Sequence, residues 1–355
     1  MIVLLVCATC SSPQYDHDAP AGAQAAADTI RHVPNAAMET DTGRSARAAR
    51  GEPASAAADV GPRTGLPANE LGRIPILEYH LIGRENSRWT VTPATLHEHL
   101  ELLWSRGYRP VSLQELVDRS YQLPAGTSPV VITFDDASPG QFRYVERGGK
   151  LAIDPASAVG VLLEFARTHP GWRNRAVFCL LSGAEAGRSF FGNKGIDGQK
   201  TEWRHRKVAF LAQQGFELCN HTLWHARLSR FTDAQVQEQI ARLQLAVDSA
   251  APGYRIRSFA LPLGVWPKNR QLARSGSWTD PETGERVEYR HDVVLLVAGE
   301  PALSPYDPRF DPLSLPRVQV QGDALRQLLD RLDHSRTRYV SDGDPTRVAD
   351  GGADS

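Results

Sequence analysis

From Ile74 onward, short apolar runs alternate with stretches of helical periodicity, and this alternation restricts the fold more than any other feature. An apolar run of four to eight residues bounded by turn signals reads as a strand buried on both faces. Such strands occur in parallel sheets covered by helices. Residues 74–79 (IPILEY), 129–134 (PVVITF), 175–181 (RAVFCLL) and 216–219 are runs of this kind, and 256–261, 292–297 and 315–320 follow later. Between them lie helix signals. Thr92 is an N-cap with Pro93 at the first helical position, and Leu96, Leu100, Leu103 and Trp104 recur until Gly107. Ser112 and Glu115 form a capping box, and so do Thr232 and Gln235, ahead of Val236, Ile240, Leu243 and Val247. Asp154-Pro155 opens a helix carrying Val159, Leu162, Leu163 and Phe165, and further helices are expected over 206–214 and 323–332. About seven buried strands alternating with helices predict an α/β fold with a parallel sheet closed or nearly closed into a barrel. Chemistry then belongs at the carboxyl ends of the strands.

The first part of the chain has a different character. Residues 11–72 are rich in alanine with scattered prolines, and Tyr15 is their lone aromatic residue. Too little apolar bulk is present to offset chain entropy, so this stretch is expected to be a disordered linker. Residues 1–10 (MIVLLVCATC) resemble the back half of a bacterial lipoprotein signal, with Cys10 or Cys7 as the lipidated residue. The positive n-region is missing, which a start codon placed too far downstream would explain. The expected organisation is a leader at 1–10, a linker at 11–72, a folded domain at 73–341 and a disordered tail at 342–355. The protein is expected to be exported and held at the cell envelope by a lipid. The 40 basic and 41 acidic residues argue against a nucleic-acid surface, which needs a basic excess. Cys179 and Cys219 fall in strand candidates and read as buried small side chains, with a disulfide as the alternative.

Three motifs stand at strand ends. Thr133-Phe134-Asp135-Asp136 places two carboxylates directly after an apolar strand. Adjacent acids repel each other, and a cation between them and other ligands relieves that repulsion. Alone, the pair also reads as a solvated loop. Asn220-His221-Thr222-Leu223-Trp224-His225 again follows a strand, and its two histidines four apart suit one face of a helical turn. A chance pair is weak evidence, but one Asp and two His together make a three-ligand set with open positions for water and substrate. Phe259-Ala260-Leu261-Pro262-Leu263-Gly264 is by itself only a turn at a third strand end.

In order and spacing these motifs resemble the polysaccharide deacetylases, the NodB-homology domain of carbohydrate esterase family 4, over about residues 73–341. The resemblance implies a distorted (β/α)7 barrel, a divalent metal that is usually zinc, and removal of acetyl groups from N-acetylglucosamine polymers or acetylated xylan. It implies Asp135 as general base and Asp136, His221 and His225 as metal ligands. Pro262, Leu263 and Gly264 then lie on a loop over the site. Two departures stand out. The family usually carries Arg where this chain has Ala260, and Arg317 in the late Leu315-Pro316-Arg317-Val318 motif is the candidate replacement. No late histidine motif is evident, but the first strand ends Glu78-Tyr79-His80. This is similar to the permuted poly-β-1,6-N-acetylglucosamine deacetylases, in which the acid histidine comes first, and it makes His80 the candidate general acid. Imidazole and carboxylate ligands suit zinc, nickel, cobalt or iron. Phe190, Phe191, Trp203 and Trp266 are candidate sugar-stacking residues and equally candidate core, and the Gly-rich loop 183–204 is a candidate groove wall. The competing readings are an acetylxylan or peptidoglycan deacetylase, and a non-catalytic sugar-binding protein on the same scaffold.

Overall fold

Strand parity decides which side chains this protein places inside its barrel. A computed structural model describes residues 61–184 and 188–351. The leader, most of the linker and the last four residues lie outside the described part. The sheet strands are β1 (Ile76–Tyr79), β2 (Tyr108–Pro110), β3 (Ser128–Phe134), β4 (Val177–Leu180), β5 (Glu217–Asn220), β6 (Ser258–Ala260), β7 (Val293–Leu295) and β8 (Val318–Gln319). Seven of them form one curled parallel sheet in the order β7-β6-β5-β4-β3-β1-β8, and β2 pairs with the first residues of β3. A parallel bridge from Leu295 to Leu315 joins β7 to the approach of β8, so the two ends of the sheet meet. This is the α/β, distorted seven-stranded barrel expected from the alternation.

The crossovers are α1 (Pro93–Ser105), α2 (Leu113–Asp118), α3 (Ala158–Thr168), α4 (Arg204–Gln213) and α5 (Asp233–Ala250), with α6 (Ala324–His334) after β8. The caps behave as their chemistry requires. Thr92 accepts from the Thr95 N–H at 3.0 Å, and Ser112–Glu115 and Thr232–Gln235 are reciprocal capping boxes. Helix α3 starts later than expected. Asp154 instead accepts from the Ala156 N–H at 3.0 Å in a turn, and Ser157 caps the helix. Two antiparallel hairpins have no counterpart in the expected elements, Tyr144–Arg147 with Lys150–Ile153 and Ser275–Thr279 with Arg286–Arg290.

Successive strand residues face opposite sides of a sheet. Leu77, Ile132, Phe134, Phe178 and Leu218 pack outward with Leu96, Leu100 and Phe165 of the helices. Ile76, Val131, Val177, Cys179, Cys219, Ala260 and Leu295 pack inward with Tyr339. The inward parity continues to Glu78, His80, Thr133, Asp135 and His221. Cys179 and Cys219 stand opposite each other in the β4–β5 register and form a disulfide, so the alternative to two free core thiols is the one observed.

The packed part runs past both expected boundaries. Thr64 N–H donates to Gly126 O at 2.8 Å, and Asn69 N–H to Val340 O at 2.8 Å. The buried Glu70 carboxylate accepts from Tyr339, Ser341 and the Ala349 N–H, each at 3.1–3.2 Å. Residues 61–72 and 342–351 therefore pack on the barrel instead of forming linker and tail, because a buried carboxylate at 70 is satisfied by the returning chain. Among the described residues, no helix is long and apolar enough to cross a membrane.

Candidate metal and proton-transfer site

The loop after β3 brings both its carboxylates to the barrel mouth by reversing the backbone. Asp136 and Ala137 have φ of 77° and 45°. Asp tolerates this left-handed region better than most residues, whereas Ala there is strained, a pattern that clusters at functional sites. The turn after β5 uses the same device. Thr222 and His225 have φ of 71° and 67°, so the two histidines sit on a tight turn and not on the expected helical turn. Its polar residues brace it from within. Asn220 Oδ1 accepts from the Thr222 N–H at 2.9 Å, and Thr222 Oγ1 accepts from the His225 N–H at 3.0 Å. Asn220 Nδ2 donates to Ile240 O at 3.0 Å, tying the turn to α5.

Three ligand atoms converge here. Asp136 Oδ1 lies 3.6 Å from His221 Nε2 and 3.6 Å from His225 Nε2. His221 Nδ1 donates to Ala260 O at 2.8 Å, a contact that fixes the ring and turns Nε2 toward Asp136. Asp136 Oδ1 is buried and has no hydrogen-bond partner. An orphaned carboxylate oxygen equidistant from two imidazole nitrogens fits a divalent cation. Burial would raise the Asp136 carboxyl, but His221 and His225 hold it far below the usual carboxylate range. Burial, with His221 nearby, lowers His225 to about 4, so its ring is neutral and able to ligate at neutral pH. Arg188 Nη1 stands 3.3 Å from the other oxygen, Asp136 Oδ2.

Asp135 is held differently. Arg317 grips it in a two-pronged pair, Nη1 to Oδ1 and Nη2 to Oδ2, both at 2.8 Å. The same guanidinium donates from Nε to Leu296 O at 3.1 Å and from Nη1 to Thr133 Oγ1 at 3.2 Å. Position 260 therefore needs no arginine. Its backbone carbonyl orients His221, and the guanidinium arrives from the segment entering β8. Burial would raise the Asp135 carboxyl, but Arg317 and then His221 outweigh it and hold the group low.

His80 follows β1 and has a ring nitrogen within 4.8 Å of an Asp135 oxygen. The indole of Trp89 meets its ring edge-on, with centroids 4.8 Å apart. Gln141, which the sequence reading passed over, is fully buried and donates from Nε2 to His80 O at 2.6 Å and also to Asp135 O. It thus ties together the loops that carry the base and the acid candidates. No motif signals it, because the two carbonyls it joins come from different strands.

Pro262–Gly264 forms a single 3-10 turn after β6, with Leu263 at φ 59° and half exposed. It follows β6 at the carboxyl end of the sheet, with Gly264 facing Val297. Trp266 stays half-buried in the segment after the 262–264 turn, under Arg270 at 5.1 Å, while the other three candidate stacking residues pack into the core. Phe190 and Phe191 are core, because the chain over 189–191 folds back so that Phe190 N–H meets Leu181 O at 2.9 Å and Phe191 N–H meets Ala137 O at 3.0 Å. Trp203 packs edge-on against Tyr144 at 6.1 Å and joins the outer core. The exposed indoles at the barrel mouth are Trp89 and Trp224 instead.

At its strand ends the parallel barrel gathers an Asp-His-His cluster that could hold a divalent cation and, beside it, a carboxylate gripped by a guanidinium. Residues 174–276 match the family model described as polysaccharide deacetylase, a span that carries both histidines and the 262–264 turn. No curated protein matches the sequence significantly. Among solved structures, the fold is similar to the Streptococcus pyogenes deacetylase PplD in complex with acetate. The TM-score is 0.51 at 18% identity, over 73% of this chain and 97% of that one. It is also similar to IcaB from Ammonifex degensii, with a TM-score of 0.50 at 18% identity, over 74% of this chain and 98% of that one. At such identities these structures establish a shared fold, and with the family match they bear out the resemblance carried by the motifs.

Proposed function

We propose that this protein is a metal-dependent hydrolase that removes N-acetyl groups from an N-acetylglucosamine-containing polysaccharide. One observation carries the reading: Asp135, held ionised by Arg317, directly precedes Asp136 of the Asp-His-His cluster, with His80 across from it. Asp135 accepts a proton from the attacking water, and Arg317 keeps its two oxygens aimed at the mouth while doing so. His80 delivers a proton to the departing nitrogen, which is a poor leaving group as an amide anion. The Asp135 N–H is taken by Tyr79 O at 2.9 Å, so a backbone N–H further along the 136–138 loop would meet the oxygen that develops charge. Asp136, His221 and His225 would hold a divalent cation, with zinc, nickel, cobalt and iron all suited to that set, which would supply Lewis acidity to the acetyl group and the attacking water.

Exposed apolar side chains support a glycan substrate. Leu81, Trp89, Trp224, Leu263 and Val297 all lie in segments that follow the carboxyl ends of sheet strands. An apolar rim around a polar centre suits sugar rings, whose C–H faces pack on indoles while their hydroxyls remain hydrated. The Cys179–Cys219 disulfide supports an exported protein, as the leader suggests, since such bonds persist in oxidising compartments.

Acetate release from β-1,6-linked N-acetylglucosamine oligomers, chitin oligomers, peptidoglycan and acetylxylan, with and without chelator, tests this. Release from the glucosamine-based substrates that chelator abolishes is expected, and Asp135→Asn should abolish it while the bound metal is retained. Release from acetylxylan alone would replace the substrate. Saccharide binding with no release from any of them would make the protein a sugar-binding scaffold.

A further inference from the structure

The segment after β4 is fastened to both turns that carry the candidate ligands. At its start, Gly183 N–H donates to Leu223 O of the histidine turn at 2.8 Å. Only glycine allows this approach, since a Cβ at 183 would lie 2.9 Å from Leu223 Cδ1. Further along, Phe191 N–H donates to Ala137 O of the turn after β3 at 3.0 Å. The buried Lys207 Nζ holds the same residue from the other side, donating to Phe191 O at 2.6 Å. Phe190 and Phe191 have φ of 45° and 65°. Left-handed backbone at two successive bulky residues is strained, and it persists only where the surroundings impose it.

Arg188 lies between these two anchors in the chain. Its neighbour Ser189 is fixed as well, bonded to Ser182 O and accepting from Arg204 Nη1 at 2.9 Å. From this held position Arg188 Nη1 reaches to 3.3 Å from Asp136 Oδ2. The two oxygens of Asp136 therefore face different partners. Oδ1 lies 3.6 Å from each imidazole Nε2 and accepts no hydrogen bond, whereas Oδ2 is ion-paired with the guanidinium. Arg188 does not stand where a cation would, because the imidazole nitrogens converge on Oδ1 and the guanidinium is at the other oxygen. A carboxylate can ligate through one oxygen or through both. Ligation through both would use a position that a three-ligand hydrolytic centre leaves open for water and substrate. A positive charge already paired with Oδ2 opposes that second contact.

We infer that Arg188 is a positioning residue for Asp136: its ion pair with Oδ2 confines the carboxylate to ligation through Oδ1 and so keeps a coordination position free for the reaction. This rests on the Asp-His-His cluster holding a divalent cation, as in the reading above.

The test is Arg188→Met in the full chain loaded with cobalt(II), whose visible absorption weakens as its coordination number rises. The Arg188 side chain is 29% exposed, so its removal leaves the core packed. Expected are weaker visible absorption per bound cobalt than in the wild type, undiminished cobalt content, and a kcat lower by about tenfold or more with KM within about twofold. Arg188→Lys keeps a cation within reach of Oδ2 and should recover most of the wild-type absorption. Absorption unchanged in Arg188→Met overturns the inference, as does an Arg188→Lys spectrum that matches Arg188→Met. A KM that rises while kcat holds also overturns it, in favour of a substrate contact, and loss of bound cobalt overturns it in favour of a role in assembling the site. The spectra are recorded without substrate and so do not depend on turnover. If the wild type releases acetate from no glycan yet the spectra differ as expected, the functional reading fails and the role of Arg188 stands. If acetate is released and the spectra coincide, the reading stands and the role of Arg188 fails.

Discussion

Arg317 is the residue whose contacts decide most about the site. Its guanidinium serves Asp135 twice, Thr133 and Leu296 O by hydrogen bonds and Glu78 by an ion pair, all in a planar fork that a lysine cannot reproduce. Arg317→Lys should keep the metal and lose on the order of a hundredfold in kcat, the scale of a misplaced general base. Metal analysis alongside acetate release checks both halves, and a drop in metal content would mean that Arg317 supports the ligands instead. Arg317→Met should further lower stability by about 3–5 kcal/mol, because it leaves two buried carboxylates without their counter-charge. At this scale the sequence was informative where partners are neighbours in the chain. Asp135 with Asp136, and His221 with His225, lie within five residues of each other and at strand ends, so their chemistry could be read directly. Arg317 was found from a gap at Ala260. Gln141 and Glu78 were not found, because their importance depends on which strands lie side by side.

At the scale of elements, β4 and β5 are fastened by the Cys179–Cys219 bond directly beneath the histidine turn. The bond closes a loop of 40 residues, and removing such a cross-link costs roughly 2–4 kcal/mol. The double variant Cys179→Ala/Cys219→Ala should lose that much in urea unfolding. A thiol reductant should produce the same loss in the wild type and none in the variant; equal stability of the two chains under oxidising conditions would refute a stabilising role. Helix starts were legible because a cap is a local hydrogen bond, as at Thr92, Ser112 and Thr232. The hairpins at 144–153 and 275–290 were not, since their strands are charged and partly exposed and lack the apolar runs that mark the sheet. The direction of the 221–225 turn was also hidden, because left-handed φ at Thr222 and His225 is imposed by Asn220, Thr222 and the tie to α5.

For the whole molecule, acid sensitivity has an identifiable source away from the site. His291 is buried between Phe259 and Tyr289, and burial, opposed by its 2.7 Å contact to Ala273 O, lowers it to about 4. An unfolded histidine titrates near 6.5, so between about pH 6.5 and 4 the unfolded chain binds a proton that the folded chain does not. Stability from this group is therefore present above that window and lost as pH falls through it, by up to roughly 3 kcal/mol. Urea midpoints measured across the window should fall with pH in the wild type and fall less steeply in His291→Phe. Equal slopes would show that His291 is already charged in the fold.

The sequence alone determined the class of fold, the capped helices, the Asp-His-His set and the two places to look for the missing arginine and acid, because each depends on hydrophobic periodicity or on residues close in the chain. Tertiary structure decided that residues 61–72 and 342–351 belong to the packed barrel, that the two core cysteines are bonded, and that Trp89 and Trp224, not Phe190 and Phe191, stand at the mouth. It also decided that Arg317, Glu78 and His80 meet over Asp135. These last facts follow from sheet order and inward parity, which bring together residues up to 239 positions apart (Glu78 and Arg317) and which no local pattern encodes.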